Sequence, residues 1–445
     1  MVIKAAKIFS TLGNSNSLIP LAVKDMSGIA GMTAGSYATG KEEGKDRFID
    51  EIGTSLIWLL GIPSLKWLYD NTFFKVLGLD AKFDPRNFKD KEVLEKIKQY
   101  SPDEKVKKSI EKAIKNEKLF KNTAFGRFVF STVITIVGYI MLTKYKQKYT
   151  EEQIKKNLIN EHNKKNANKE QNKKDAVQYA EKTNLANEEI TNPTFKGVGS
   201  AIEYFAFSPV KNMLILEGAI TATRLKDSRS PQEFTGYAIK EAAAWTFLYF
   251  AGEKIQNSVE KHAKDKYNKS IGLDARVLEG GELKQAFDNG TIEKCLKEFN
   301  AAKTSNAELY EFLHKNPENM IVKAAKKTAA KGSGNLIETY KGTNKIDTRK
   351  YIDLEDVKGV ESTIRELYGQ YKDALKKGET SEKFFAGVKK LKRQSIMANI
   401  GSCALVLGVI TPGIMLAKRF LSKDDTEFQT KKDIREQLIN EGVIA

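Results

Sequence analysis

The sequence predicts an all-α, membrane-embedded protein built from two collinear repeats, with a soluble helical insert in the second. Three observations predict it. Apolar residues gather in charge-free blocks instead of spreading evenly along the 445 residues. Strand-like alternation is scarce and only nine prolines interrupt the chain, so helix is the default nearly throughout. Short motifs also recur in the same order in both halves, as internal duplication would leave them.

The first repeat is expected over residues 1–144. Its opening stretch, MVIKAAKIFSTLGNSNS, has basic residues but no continuous apolar core, so no cleaved signal peptide is expected. LIPLAVKDMSGIAGMTAGSYA follows, with Ser27, Gly31 and Gly35 four apart, where small residues let two helix backbones approach closely. The block Ile52–Leu65 is free of charge for 14 residues but contains Pro63, so it is expected to be interfacial, re-entrant or packed against spanning helices. A GLDAK turn precedes a Lys-rich helix, Ser101–Asn122, which leads into FVFSTVITIVGYIMLT, Phe128–Thr143. Those 16 uncharged residues cross a bilayer if the flanking Arg127 and Lys144 extend to the headgroups.

Residues 145–193, rich in Lys, Asn, Gln and Glu, read as a polar linker or a solvated helix. The second repeat opens over residues 194–279. Gly218 and Ala222 stand where Gly31 and Gly35 do in the first. Ser230, Pro231 and Glu233 form a capping set before the apolar block Ala242–Gly252. VKDM and VKNM recur 187 residues apart, Glu51 and Glu241 190 apart, GLDA 194 apart and IMLTK/IMLAK 274 apart. The last jump matches the insert over 280–390. There Leu354, Val357, Val360, Ile364, Leu367, Tyr371 and Leu375 share a helical face and need something to pack on. The spanning helix of the second repeat falls within 391–424, followed by a polar tail over 425–445. From Ser395 to Ala417 it has 23 uncharged residues, about 34 Å of helix against roughly 30 Å of hydrocarbon.

The formal charge of +17 calls for an acidic partner, and the apolar blocks favour anionic lipid over nucleic acid. The excess is lysine, without the arginine and aromatic interleaving of a nucleic-acid module. The candidate headgroup contacts are Lys115, Lys118, Lys121 and Arg127 before one span and Lys144 after it. The other span has Lys389, Lys390, Lys392 and Arg393 before it, with Lys418 and Arg419 after it. Glu51, Glu217 and Glu241 are the candidate intramembrane or interfacial acids.

No catalytic, cofactor or metal set emerges. The cysteines, Cys295 and Cys403, are too few for a disulfide framework. His162, His262 and His314 stand apart among polar residues and read as solvated. GSYATGKE resembles a phosphate loop, but Glu42 occupies the position of the metal-binding hydroxyl and no strand precedes it. The expected function is a non-enzymatic scaffold or assembly factor at an anionic membrane of bacterial cytoplasmic type. Its polar segments would be mostly cytoplasmic, and the insert over 280–390 would be free for a protein partner. A transporter or channel formed by the repeats, or a lipid-acting enzyme, are the alternatives.

Overall fold

The computed structural model describes residue 12 and residues 18–169, 209–330, 334–421 and 429–444. The rest of the opening stretch, the polar linker beyond residue 169, the start of the expected second repeat up to and including Ser208, residues 331–333 and 422–428, and Ala445 lie outside it. The described residues are overwhelmingly helical and contain no strand beyond two isolated bridges, Ala329–Asn335 and Thr339–Ile346.

Six helices close into a ring. They are α1 (Leu18–Thr39), α2 (Lys41–Phe74), α5 (Glu117–Lys169), α6 (Pro209–Lys226), α7 (residues 231–267) and α14 (residues 381–421). Packing runs α1 to α2, α2 to α5, α5 to α6, α6 to α7, α7 to α14 and back to α1. Three helices are long and apolar enough to cross a membrane: Lys41–Phe74, Glu117–Lys164 and Ser381–Lys418. The first corrects an expectation, because Pro63 neither ends nor sharply breaks α2. A π-helical turn at Ile57–Gly61 precedes it, and another at Val406–Ile410 precedes Pro412 in α14. Each wider turn adjoins the place where a proline removes a backbone donor, and the helix continues through it.

Burial along these helices is reversed relative to a soluble protein. On α5 the inward positions are Ser131, Thr132, Thr135, Tyr139, Thr143 and Lys146, while Val129, Val133, Ile134 and Met141 face outward. On α14 Ser395, Asn399 and Cys403 turn inward at a spacing of one turn; Met397, Leu405, Val409, Ile410 and Ile414 are exposed. The same holds for α2, where Asp46, Asp50, Glu51, Thr54 and Ser55 are buried and Leu56, Leu60, Trp67 and Phe73 are not.

At one end of the ring sits a helical lobe. It comprises α3 (Lys91–Gln99), α4 (Glu104–Lys115), α8 (Ala275–Glu279), α9 (Glu282–Asp288), α10 (Thr291–Ala301), α11 (Asn306–Lys315), α12 (Met320–Lys327) and α13 (Leu354–Lys376). Side-chain caps start most of them: Asp90, Asp103, Ser305, Asn319 and Asp353 each accept backbone N–H bonds. The apolar core is continuous between two distant parts of the chain. Phe74, Phe83, Ile97, Ile110 and Phe120 share it with Leu309, Ile321, Ile337, Ile364 and Phe384. The lobe therefore draws on residues near 74–124 as well as on the stretch over 280–390. Of the expected face of α13, Leu375 alone is exposed, at 42%. Beyond the other end of the ring, α15 (Gln429–Asn440) lays Ile434 and Leu438 against Ile154 and Leu158 of α5.

Three turns in the lobe share one construction. In Asp84-Pro-Arg86, Asp274-Ala-Arg276 and Asp347-Thr-Arg349 the carboxylate accepts the backbone N–H two residues on and also holds that arginine's guanidinium. The two GLDA turns, in contrast, are built differently. Gly78 has φ of 62° whereas Gly272 is not left-handed; Asp80 accepts the Lys82 N–H as Asp274 accepts that of Arg276, but its carboxylate then receives Ser109 and Arg349 where Asp274 holds its own arginine.

His314 corrects the solvated reading. It lies between Tyr100, on which it stacks, and the tilted ring of Tyr310, with ring centroids 4.8 and 4.9 Å away, and its Nε2 is buried without a partner.

Candidate functional site

The ring's interior is charged near the end remote from the lobe. Helical spacing puts Asp46, Asp50, Glu51 and Thr54 of α2 on one inward face. Opposite them α5 contributes Lys146, α6 contributes Arg224, and α7 contributes Glu233, Tyr237, Lys240 and Glu241; Arg229 reaches in from the turn between α6 and α7. Ser230 caps α7 as expected, accepting the Glu233 N–H, while the Glu233 carboxylate accepts from the backbone of Arg229.

Arg224 is the centre of this cluster and is 2% exposed. Its Nη1 donates to Glu241 at 2.5 Å and its Nη2 lies 3.1 Å from Asp50, 3.1 Å from Thr54 Oγ1 and 3.5 Å from Glu51. Lys240 bridges Glu51 and Glu241 at 3.2 and 3.0 Å. Lys146 stands 3.6 Å from both Asp46 and Asp50 and donates to Tyr237. Arg229 holds Asp46 and Glu233, and Thr150 donates to Asp46. Removing one partner from such a buried set typically costs about 3–5 kcal/mol, because the remaining charge is stranded away from water.

The charges balance. Asp46, Asp50, Glu51, Glu233 and Glu241 face Arg47, Lys146, Arg224, Arg229 and Lys240. Deeper in the ring the polar lining continues. Asp25 accepts from Ser55, Glu217 lines a cavity of about 10 Å³ with Asp25, Glu51 and Lys240, and Lys24 donates to Asn399 at 2.6 Å. That cavity is large enough for one water.

Of the acids singled out from sequence, Glu51 and Glu241 belong to one cluster through Arg224 and Lys240, and Glu217 borders it. Ser27, Gly31 and Gly35 meet α14. A Cβ on Gly31 would fall 2.0 Å from the carbonyl oxygen of Gly408, one on Gly408 3.0 Å from Ser27 O, and one on Gly35 3.3 Å from Pro412. Gly218 makes only an ordinary contact with Trp245, and Ala222 is exposed on the same helix.

The basic collars divide. Lys115, Lys118, Lys144, Lys390 and Lys418 are exposed, and Lys389 partly so. Lys121 pairs with Glu117, Arg127 with Asp70 and Arg393 with Glu279. Lys392 is a correction: it is 3% exposed and ion-paired with Glu260, so no headgroup reaches it. The Arg419 side chain lies outside the described residues.

Sequence reasoning missed Asp46, Asp50, Lys146, Arg224 and Arg229. Their signal was charges bordering apolar blocks at positions one helical turn apart. Among the described residues, no group of three His, Cys, Asp or Glu side chains is placed to hold a metal ion. No protein family, no curated protein and no solved structure matches the chain.

Proposed function

We propose that the chain is a non-enzymatic integral membrane protein. In this reading the charge-balanced core fixes the six-helix ring in an anionic bilayer, and the ring holds the lobe at the membrane surface as a platform for assembly. One observation carries it: the long helices bury many polar and charged side chains while large apolar ones such as Leu60, Val133, Met141, Leu405 and Val409 are exposed. Water would penalise that arrangement, whereas lipid demands it. An ionic cluster whose acids and bases pair off at 2.5–3.6 Å is suited to locking helices together. The bilayer is assigned as cytoplasmic membrane of bacterial type from the +17 charge and the exposed lysines at both ends of the spans. The exposed surface of the 280–390 stretch is the assigned face for a protein partner.

Duplication is retained as part of the proposal. Both halves follow one order of small-residue helix, α2 or α7 with an internal π-helical turn, lobe segment and returning helix. The Asp84 and Asp274 clasps fall in register with Glu51 and Glu241. Two hairpins running the same way then make the ring.

Transport is the second reading, favoured by the polar lining that continues from Asp46 to Lys24. Membranes from expressing cells, washed with alkaline carbonate, test the first claim: the protein is expected to stay in the pellet, and full release sinks it. Proteoliposomes separate the two functions. The scaffold reading expects no solute or proton flux, and a flux that Glu217→Gln abolishes would establish the second.

A further inference from the structure

One cation of the ionic core, Arg47, is ion-paired without being hydrogen-bonded. Arg47 is nine-tenths buried, with 10% of its side chain exposed, yet among the described residues its guanidinium donates no hydrogen bond. Glu51 lies 3.6 Å from its Nη1, and Tyr237 offers its ring face at 4.8 Å. Arg224 and Lys240 engage the other carboxylate oxygen of Glu51, and Oε1, opposite Arg47, stays beyond hydrogen-bond distance of the guanidinium.

Arg47 borders a half-open cavity of about 120 Å³ at the end of the ring remote from the lobe. One wall is apolar, formed by Met32, Pro412, Met415 and Leu416; another carries Ser36 and Thr39, the Thr39 hydroxyl being donated to Ser36 O and Glu43, and the exposed Lys418 also lines it. Three carboxylates also line it, but each is engaged. Glu43 accepts from Thr39, while Asp46 and Glu233 are held by Arg229. The unmet demand in this cavity is for an acceptor. A planar guanidinium recognises an oxyanion through two parallel hydrogen bonds, and an adjoining apolar wall recognises a hydrocarbon attached to it.

We propose that this cavity binds a phosphate-bearing amphiphile, with the phosphate on Arg47 and Lys418 and the hydrocarbon against Met32, Pro412 and Met415. The source committed to is a membrane phospholipid, and that part rests on the membrane reading above. A cavity at the end of the apolar belt lies at headgroup depth.

The test uses the full chain in maltoside detergent, titrated with dihexanoyl phosphatidic acid, dihexanoyl phosphatidylcholine and inorganic phosphate while heat released and thermal midpoint are recorded. Phosphatidic acid is expected to bind and raise the midpoint, with phosphatidylcholine and inorganic phosphate at least tenfold weaker. Arg47→Gln should weaken phosphatidic acid binding tenfold or more, and Arg47→Lys should recover part of it. Met415→Trp, which fills the cavity from its apolar side, provides an independent check if Arg47→Gln fails to fold. Phosphatidic acid binding unchanged by both Arg47→Gln and Met415→Trp overturns the site. Inorganic phosphate binding as tightly and as dependently on Arg47 overturns the lipid as source. Carbonate extraction of the unaltered protein does not depend on Arg47, so failure of the membrane reading is scored separately.

Discussion

Tyr100 and Tyr310 enclose His314 so that its ring loses water without gaining a hydrogen-bond partner at Nε2. Burial pushes the imidazole down to about 4, with nearby Lys326 adding to the effect. The folded state therefore binds this proton less readily than the unfolded chain, whose histidine titrates near 6.5. His314 is neutral and harmless to folding above pH 6.5. Between about 6.5 and 4 the unfolded state gains protons that the folded state refuses, so stability falls with pH by an order of 3 kcal/mol. In chemical denaturation of the full chain at pH 7.5 and 4.5, His314→Gln should lose less stability on acidification than the unaltered protein. Parallel losses would refute the assignment. The sequence hid this residue because Tyr100, the ring stacked on it, comes from a distant part of the chain; Tyr310, one turn earlier on the same helix, and Leu313 beside it were the local signals of burial.

At the scale of elements, the contact between α1 and α14 tolerates no side chain at Gly31. A methyl there would overlap the Gly408 backbone, and backbone has no rotamer with which to yield. Gly31→Ala should lower the thermal midpoint or abolish the folded species, while Gly138→Ala, with nothing within 4 Å of the added carbon, should fold normally. Size-exclusion chromatography and a melting curve on both variants decide it. Equal behaviour would show that the close crossing is absent. The small-residue spacing in α1 was legible because it repeats every helical turn. Its partner was not, since Gly408 sits inside an apolar run where nothing local marks it. Pro63 misled for a related reason: proline's effect depends on whether the preceding turn widens, and sequence does not report that.

For the whole molecule, helical class and the two longest apolar blocks were readable from residue counts alone, since a length without charge is a local property. The inward polar face of α5 could also have been read, because Ser131, Thr135, Tyr139 and Thr143 recur every four residues. The pairing of Arg224 with Asp50 could not, as it joins charges far apart in the chain that only closure of the ring brings together. The lobe was legible as helices but not as one body. The two GLDA turns share an aspartate that accepts the N–H two residues on, but their glycines differ in φ, which identical letters do not report.

That divided lobe sets a schedule for synthesis. Ile97, Ile110 and Phe120 leave the ribosome long before Ile364 and Phe384, with which they share a core. At about 5–20 residues per second the delay is roughly 12–50 seconds, during which a greasy half-domain waits uncovered. Nascent chains stalled near residue 200 should expose residues 74–124 to protease, and chains released at full length should shield them. Protection already present at residue 200 would show that the early half is self-sufficient. Otherwise the cell must chaperone this segment until the later half arrives, and a premature stop anywhere in between would yield a sticky fragment rather than a smaller working protein.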